Sequence, residues 1–295
     1  MSSPTLISFA RLPSMTPALA RVLLGKKPYM ASPGVTIEPV ELEARRVVLS
    51  SAHLQRYRDA CAVKTDAQLP PAYLHVVAMP MHLQLFFAKQ FPVKVLGLIH
   101  LRNSIRVLRD VDVKAPLRLR VNFETMRVTE FGQEYDFTTR YDQDGQPVWE
   151  EVSTMFARGA APAKEGGKRP SIERSTHPDA GVSTETLEVA TNTGWRYALV
   201  SGDFNPIHLT ARTAQMFGFK QAVAHGMWSL GRCLAAAAPS MPTNGVQIDT
   251  QFKLPVYIPS QALARTWAVQ DGVDISMCTP RGDRLHLSMQ VRKIS

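Results

Sequence analysis

The chain has 295 residues, 45% of them hydrophobic and 20% charged, which is enough apolar material for buried cores and unlike a disordered sequence. Its formal charge of +9 admits a nucleic-acid partner. However, the basic residues lie in scattered pairs such as Lys26-Lys27 and Arg45-Arg46, without runs or interleaved aromatics, so a phosphorylated ligand or an acidic protein surface suits the charge better.

No apolar run approaches the ~18–20 residues that cross a bilayer, and no membrane span is expected. Cys61, Cys233 and Cys278 are odd in number and far apart, forming neither a metal-type pair nor a disulfide framework. A reducing, cytoplasmic setting follows as the simplest expectation.

Residues 1–34 carry basic residues and no acidic one. They are expected to form an N-terminal packing arm, with a targeting segment as the alternative reading. Within it, Thr16–Leu24 begins with a capping threonine and a first-turn proline and predicts a short helix. Val35–Ser50 alternates as an extended segment, and His53–Cys61 reads as a short polar helix.

The stretch Pro71–Gln90 is rich in Leu, Met and Phe and predicts a buried helix, kinked or broken at Pro80. His75, His82 and His100 lack carboxylate or cysteine neighbours at ligand spacing and are expected as core or rim histidines, not metal ligands. Four strands follow at His100–Leu108, Leu117–Thr129, Gln133–Tyr141 and Pro147–Ala157, with Asp144-Gly145 as a hairpin signal. Residues 159–181, rich in Ala, Pro, Gly, Lys and Ser, read as a linker between domains at 35–158 and 182–295.

The second domain repeats the order of the first: an extended Leu187–Ala190, a helical Trp195–Val200, a short helix at Ala211–Phe217 and a long apolar helix at Ala222–Ala238. Strands follow at Gly245–Leu254, Ala262–Asp271, Val273–Pro280 and Arg284–Ile294. Ile105-Arg106 and Phe252-Lys253 take corresponding places in the strand after each long helix, and Asp144-Gly145 corresponds to Gly282-Asp283. The repeat rests on element order, since identity between the halves is low.

From within the first helix of the second half to just before the short one runs YALVSGDFNPIH, Tyr197 to His208. Gly202 and Pro206 punctuate it as turn residues do. A turn at Asn205-Pro206 would fold Asp203 and His208 back toward one another as an acid/base pair. For an isolated Asp–His pair, a helix cap and a surface imidazole would be the commoner outcome.

The full string resembles the signature of MaoC-like, (R)-specific enoyl-thioester hydratases and dehydratases, in which Ser/Thr-Gly-Asp-x-Asn-Pro-x-His is matched by Ser201, Gly202, Asp203, Asn205, Pro206 and His208. The following AVAHGMWSLGRCLAA resembles the central helix of that family with its leading Ala-His-Gly. The likeness is good from Gly194 to about Lys293 and only in outline before that.

The resemblance implies an α+β double hot-dog: two antiparallel sheets, each wrapped round a long central helix and joined edge to edge into one larger sheet, which removes an exposed edge from each half. One chain would then do the work of a homodimer of single-domain relatives, and a homodimer of this chain is compatible with the sequence without being required. In the first half, Tyr57–Asp66 reads YRDACAVKTD, without the acid/base string, so one active site per chain is expected. The first domain would then be reduced to shaping the acyl pocket, with room for a long or bulky chain.

The implied reaction is the reversible syn addition of water to a trans-2-enoyl thioester of coenzyme A or acyl carrier protein, or equivalently dehydration of the (R)-3-hydroxyacyl thioester. Asp203 and His208 would hold the water and exchange its protons, with Asn205 orienting loop or water. The N–H of Gly226, at the start of the long helix, would stabilise the thioester oxyanion, on the order of 3–4 kcal/mol for one preorganised donor.

Each assignment has a simpler counterpart: Asn205 as a turn former, Gly226 as a packing glycine, Lys253 as a solvated lysine instead of a phosphate contact. His225 is expected to be structural, and Arg265 and Arg281 are weaker phosphate candidates. No metal and no dissociable cofactor is called for. A hot-dog thioesterase and a non-catalytic acyl-thioester-binding subunit are the competing readings.

Overall fold

A computed structural model of the chain describes residues 5–15, 27–32, 35, 37–64, 68–159, 177–241 and 245–294. The expected helix at Thr16–Leu24 and most of the expected linker lie outside the described residues.

The first half contains strands β1 (Thr5–Phe9) and β2 (Val40–Val47), helices α1 (Ser51–Cys61) and α2 (Tyr73–Phe87), and strands β3 (Ile99–Val107), β4 (Leu117–Thr129), β5 (Gly132–Gln143) and β6 (Gln146–Arg158). The second half has β7 (Val182–Val189), α3 (Thr193–Ser201), a single 3-10 turn at Pro206–His208, α4 (Ala211–Gln215), α5 (Gly226–Ala237), β8 (Val246–Phe252), β9 (Ser260–Val269), β10 (Gly272–Cys278) and β11 (Leu285–Lys293).

Among the described residues, the strands form one 11-stranded sheet in the order β1-β2-β4-β5-β6-β3-β8-β11-β10-β9-β7. Read outward from the centre, β3-β6-β5-β4-β2 is matched step for step by β8-β11-β10-β9-β7, so the repeat in element order is a repeat in space. The seam is the antiparallel pair β3–β8, from Arg102↔Gln251 to Val107↔Val246, reinforced where Ser104 Oγ donates to Asp249 (2.6 Å). This is the expected edge-to-edge joining. One strand departs from it: β1 pairs with β2 in parallel and extends the outer edge of the first half.

Local chemistry accounts for most element boundaries. The side chain of Ser50 caps α1 by accepting from the His53 N–H, and the helix ends where Ala62 turns left-handed at φ 52°. At the β5–β6 hairpin, Asp144 (φ 51°) and Gly145 (φ 76°) are both left-handed, the two-residue turn whose twist suits paired strands.

Two expected boundaries are corrected. Helix α2 is neither interrupted nor ended at Pro80, because a proline removes only one N–H rung and most of the helix, including Val76, Val77, Met81 and Leu85 around it, is buried. Helix α5 begins at Gly226, four residues later than its apolar pattern suggests. Ala222–His225 instead runs extended, with the Ala224 N–H donating to the Val256 carbonyl (2.8 Å) and the Ile258 N–H to the Ala222 carbonyl (2.8 Å).

Helix α2 packs on β2 and β4, and α5 on β9 and β10, so each half keeps a helix against its sheet. The halves also clasp through helices. Trp228 Nε1 donates to the Ala60 carbonyl (2.9 Å) and Arg232 to the Cys61 carbonyl (3.1 Å), so α5 satisfies the open C-terminal end of α1.

Candidate active site

The acid/base loop is built by three short devices. Helix α3 stops at Gly202, whose left-handed φ of 75° lets its N–H close back on the Ala198 carbonyl (2.8 Å). Asp203 Oδ1 then accepts the Asn205 N–H (3.0 Å), making a side-chain turn. Asn205 is extended, as a residue before proline tends to be, and its own Oδ1 accepts the Ile207 N–H (3.4 Å), capping the turn Pro206–His208.

The loop lies directly on the first turn of α3. A side chain on Gly194 would overlap the carbonyl oxygen of His208, so glycine is required there for close approach and not for its dihedral freedom.

These devices bring Asp203 and His208 together across a gap. Asp203 Oδ2 lies 3.8 Å from His208 Nε2, too far for a direct hydrogen bond and suited to a shared hydroxyl or water. His208 Nδ1 faces the Val223 carbonyl at 2.7 Å, which fixes the proton on Nδ1 and leaves Nε2 as a base toward Asp203. Burial depresses the His208 pKa, against the opposing pull of Asp203. Burial alone would raise the Asp203 pKa, but the imidazoles of His225 and His208 and the Asn205 N–H hold it below the ordinary value. The ground state is therefore carboxylate and neutral imidazole. Asp203 keeps 37% of its side-chain surface open.

His225 is closer to this centre than the sequence reading placed it. Its ring stacks on His208 with centroids 3.7 Å apart, and its Nε2 donates to the Asp203 backbone carbonyl (2.9 Å). It thus clamps the backbone of Asp203 as the residue preceding α5. Burial lowers its pKa to about 3, so it stays neutral.

Asp203, His208 and His225 offer ligand atoms within 4.8 Å of one another. The donor set fits a cation poorly, because the His225 nitrogen facing Asp203 must carry a proton to satisfy that carbonyl.

A cavity of about 720 Å³ joins the two halves and takes in Asp203, Asn205, His208, His225 and Gly226 together. Gly226 is the first residue of α5, so its N–H has no intrahelical partner, and a side chain there would press on the Phe252 ring at 3.2 Å. Lys253 lies at the cavity wall, where its ammonium donates to Gln251 (2.7 Å). Arg265, on β9, packs against Gly282 of the β10–β11 turn, and neither it nor Arg281 lines the cavity. A second concavity of about 550 Å³ is lined by residues of the seam strands and their neighbours, including Arg102, Asp249 and Trp267, and holds no comparable acid/base pair.

The first half supplies much of the cavity wall. His75, Met79, His82, Leu83 and Phe86 recur at helical spacing along one side of α2. Beyond them stand His100, Phe137 and Met155. The three histidines are cavity-lining, and His75 does have a carboxylate partner: Glu151 of β6 accepts from its Nδ1 (2.8 Å) and from Asn103 (2.7 Å). Burial alone would raise the Glu151 pKa, but His75 and these hydrogen bonds hold it at about 2. Sequence spacing gave no sign of this pair, since its members are 76 residues apart.

Tyr197, the aromatic that opens the acid/base string, is also part of the wall. Its buried hydroxyl has no hydrogen-bond partner among the described residues.

Residues 173–279 match the family model described as MaoC like domain. The chain is 26% identical over 258 residues to 3-hydroxyacyl-thioester dehydratase X of Mycobacterium tuberculosis, covering 88% of this chain and 88% of that protein. A crystal structure of HtdX from Mycobacterium tuberculosis matches with a TM-score of 0.73 at 25% identity, over 88% of this chain and 100% of the other. A conserved hypothetical protein of the same organism, described as having a double hotdog fold, matches with a TM-score of 0.54 at 14% identity, over 88% of this chain and 96% of the other.

Proposed function

We infer that this chain, a double hot-dog protein whose second half is a MaoC-like domain, catalyses the reversible dehydration of (R)-3-hydroxyacyl thioesters to trans-2-enoyl thioesters in fatty-acid metabolism. The observation that carries the reading is the 3.8 Å gap between Asp203 and a His208 whose tautomer is fixed, opening into a cavity that also receives the first turn of α5.

In hydration, a water in that gap donates one hydrogen bond to each acceptor. Its oxygen attacks C3 of the enoyl group while the pair takes up one of its protons. Negative charge moves onto the thioester oxygen, where the Gly226 N–H and the positive end of the helix dipole receive it. The pair returns a proton to C2 on the same face. Dehydration is the reverse. The chemistry is proton transfer at an activated carbon, so no dissociable cofactor is required. Coenzyme A or phosphopantetheine enters only as part of the substrate.

Lys253, on the cavity wall, would meet a phosphate of the coenzyme A or phosphopantetheine carrier. The three cysteines are all free and buried, which suits a reducing compartment such as the cytoplasm. No helix among the described residues is long and apolar enough to cross a membrane. Every group named at the site comes from a single chain.

The test is loss of the conjugated enoyl-thioester ultraviolet absorbance with trans-2-enoyl-CoA, in wild type and in Asp203→Asn and His208→Gln. Each substitution should lower kcat by about 10²–10⁴-fold. An (R)-specific coupling enzyme should consume the alcohol. Folded variants that retain wild-type kcat would sink the assignment of the pair. Release of free coenzyme A without hydration would make the protein a thioesterase instead.

A further inference from the structure

We propose that the segment Lys27–Ser32 is a length gauge for the acyl chain, with Tyr29 as the stopper at the far end of the cavity. The proposal rests on the dehydratase reading and names the specificity of that same site.

The cavity has a direction. At the reaction end, Gly226 sits over Phe252, and the Phe252 ring packs on His100 with centroids 4.8 Å apart. From His100 the wall continues back along the chain through Ile99, Leu98 and Gly97. On the other side, the stripe of α2 runs from His75, beside the polar centre, to Phe86 near the helix end. That is eleven residues of helix, about 16 Å. The wall becomes apolar along the way, with Met79, Leu83, Phe137 and Met155, as a methylene chain requires. Tyr29, Lys94 and Arg158 line the cavity together with these walls.

Tyr29 is held there by a built fixture. Its hydroxyl donates to the Gly97 carbonyl (3.0 Å) and accepts the Arg158 N–H (3.1 Å), bridging the start of β3 to the end of β6. Gly97 has a φ of 94°, and a side chain on it would lie 2.9 Å from the tyrosine ring, so the glycine makes room for the stopper. Lys94, also on the cavity wall, places its ammonium over the ring, 5.8 Å from the centroid.

The backbone on either side is pinned as well. The ammonium of Lys27 donates to the carbonyls of Phe86 (2.9 Å), Ala88 (2.7 Å) and Phe91 (2.7 Å), closing the C-terminal end of α2. Gln133 grips Ala31 through both its N–H (2.8 Å) and its carbonyl (2.9 Å). A surface arm with no role at the cavity would not need a ring inserted between two strand ends. Here the arm forms the end wall.

The experiment compares kcat/KM for trans-2-enoyl-CoA esters of four, eight, twelve and sixteen carbons in wild type, Tyr29→Phe, Tyr29→Leu and Tyr29→Ala. In parallel, calorimetry measures the binding of S-alkyl-CoA thioethers of the same lengths, which needs no turnover. Removing the ring should raise the ratio of the longest to the shortest productive chain at least tenfold in both assays. Tyr29→Phe, which keeps the ring, should leave the wild-type cut-off in place, and Tyr29→Leu serves if the alanine variant is poorly folded. A uniform change at every length would put Tyr29 at the thioester mouth and overturn the proposal. So would an unchanged profile in a folded Tyr29→Leu. If wild type turns over no ester while the thioether profile still shifts, the dehydratase reading fails and the gauge stands.

Discussion

At the scale of single residues, the site depends on close approach as much as on acid/base chemistry. Gly194 bears no catalytic group, yet the His208 carbonyl occupies the space a side chain would take. Gly194→Ala should therefore displace the loop that carries His208. We expect a loss of about 1–3 kcal/mol in stability, as for other overpacked positions, and a fall in kcat of at least tenfold. Chemical denaturation and the hydration assay measure the two effects, and an alanine variant with wild-type values in both would show that the loop yields freely. Asp203, Asn205 and His208 were legible because their geometry is made by neighbours in sequence, through an Asx turn, a proline and a short 3-10 turn. Asn205 illustrates the limit, since its side-chain oxygen closes the turn, the simpler of the two roles expected for it. The His75–Glu151 pair lies beyond that limit, because strand pairing across the sheet is what joins it.

At the scale of elements, helix and strand existence followed from hydrophobic period and turn chemistry, and the errors arose where tertiary contacts overrode them. Pro80 does not break α2 because most of the helix around it is buried in the core. Ala222–His225 is apolar enough to continue a helix, yet it is drawn straight by hydrogen bonds to the segment around Val256. The contact of α1 with α5 is another product of tertiary structure. Gly231 faces Tyr57 and Cys61 so closely that a side chain on it would lie 2.9 Å from both the phenol oxygen and the thiol. Gly231→Ala should pry the two helices apart, lowering Tm by about 2–8 °C for a loss of about 1–2 kcal/mol. A melting curve checks this, and an unshifted Tm would mean that the clasp has slack.

At the scale of the whole molecule, the cavity and its rim bury several imidazoles in neutral form, and this ties stability to pH. Burial lowers the pKa of His82 to about 3, of His225 to about 3 and of His100 to about 4. In the unfolded chain each returns to about 6.5. Between those limits the unfolded state binds more protons than the folded one, so stability rises with pH through the window and falls as acid is added. Three such groups give a slope of up to about 4 kcal/mol per pH unit below roughly pH 6. Glu151 acts lower: its depressed pKa contributes stability above about 4.5 that is lost as pH falls toward 2. Denaturant titrations at pH 7.5, 6.0 and 5.0 should show a plateau followed by a steep fall, whereas constant stability to pH 5 would mean that the imidazoles are hydrated or paired in acid.

The β3–β8 seam has a further consequence for how such a protein can change. In a symmetric dimer every substitution is made twice, so a residue that widens the cavity from the first helix also alters the helix that begins at the glycine on its wall. Here the two hot-dog units are separate stretches of one gene product, and a change in α2 has no counterpart in α5. The His75–Phe86 stripe can therefore change without touching the Asp203–Gly226 segment, giving the cavity two walls that vary independently.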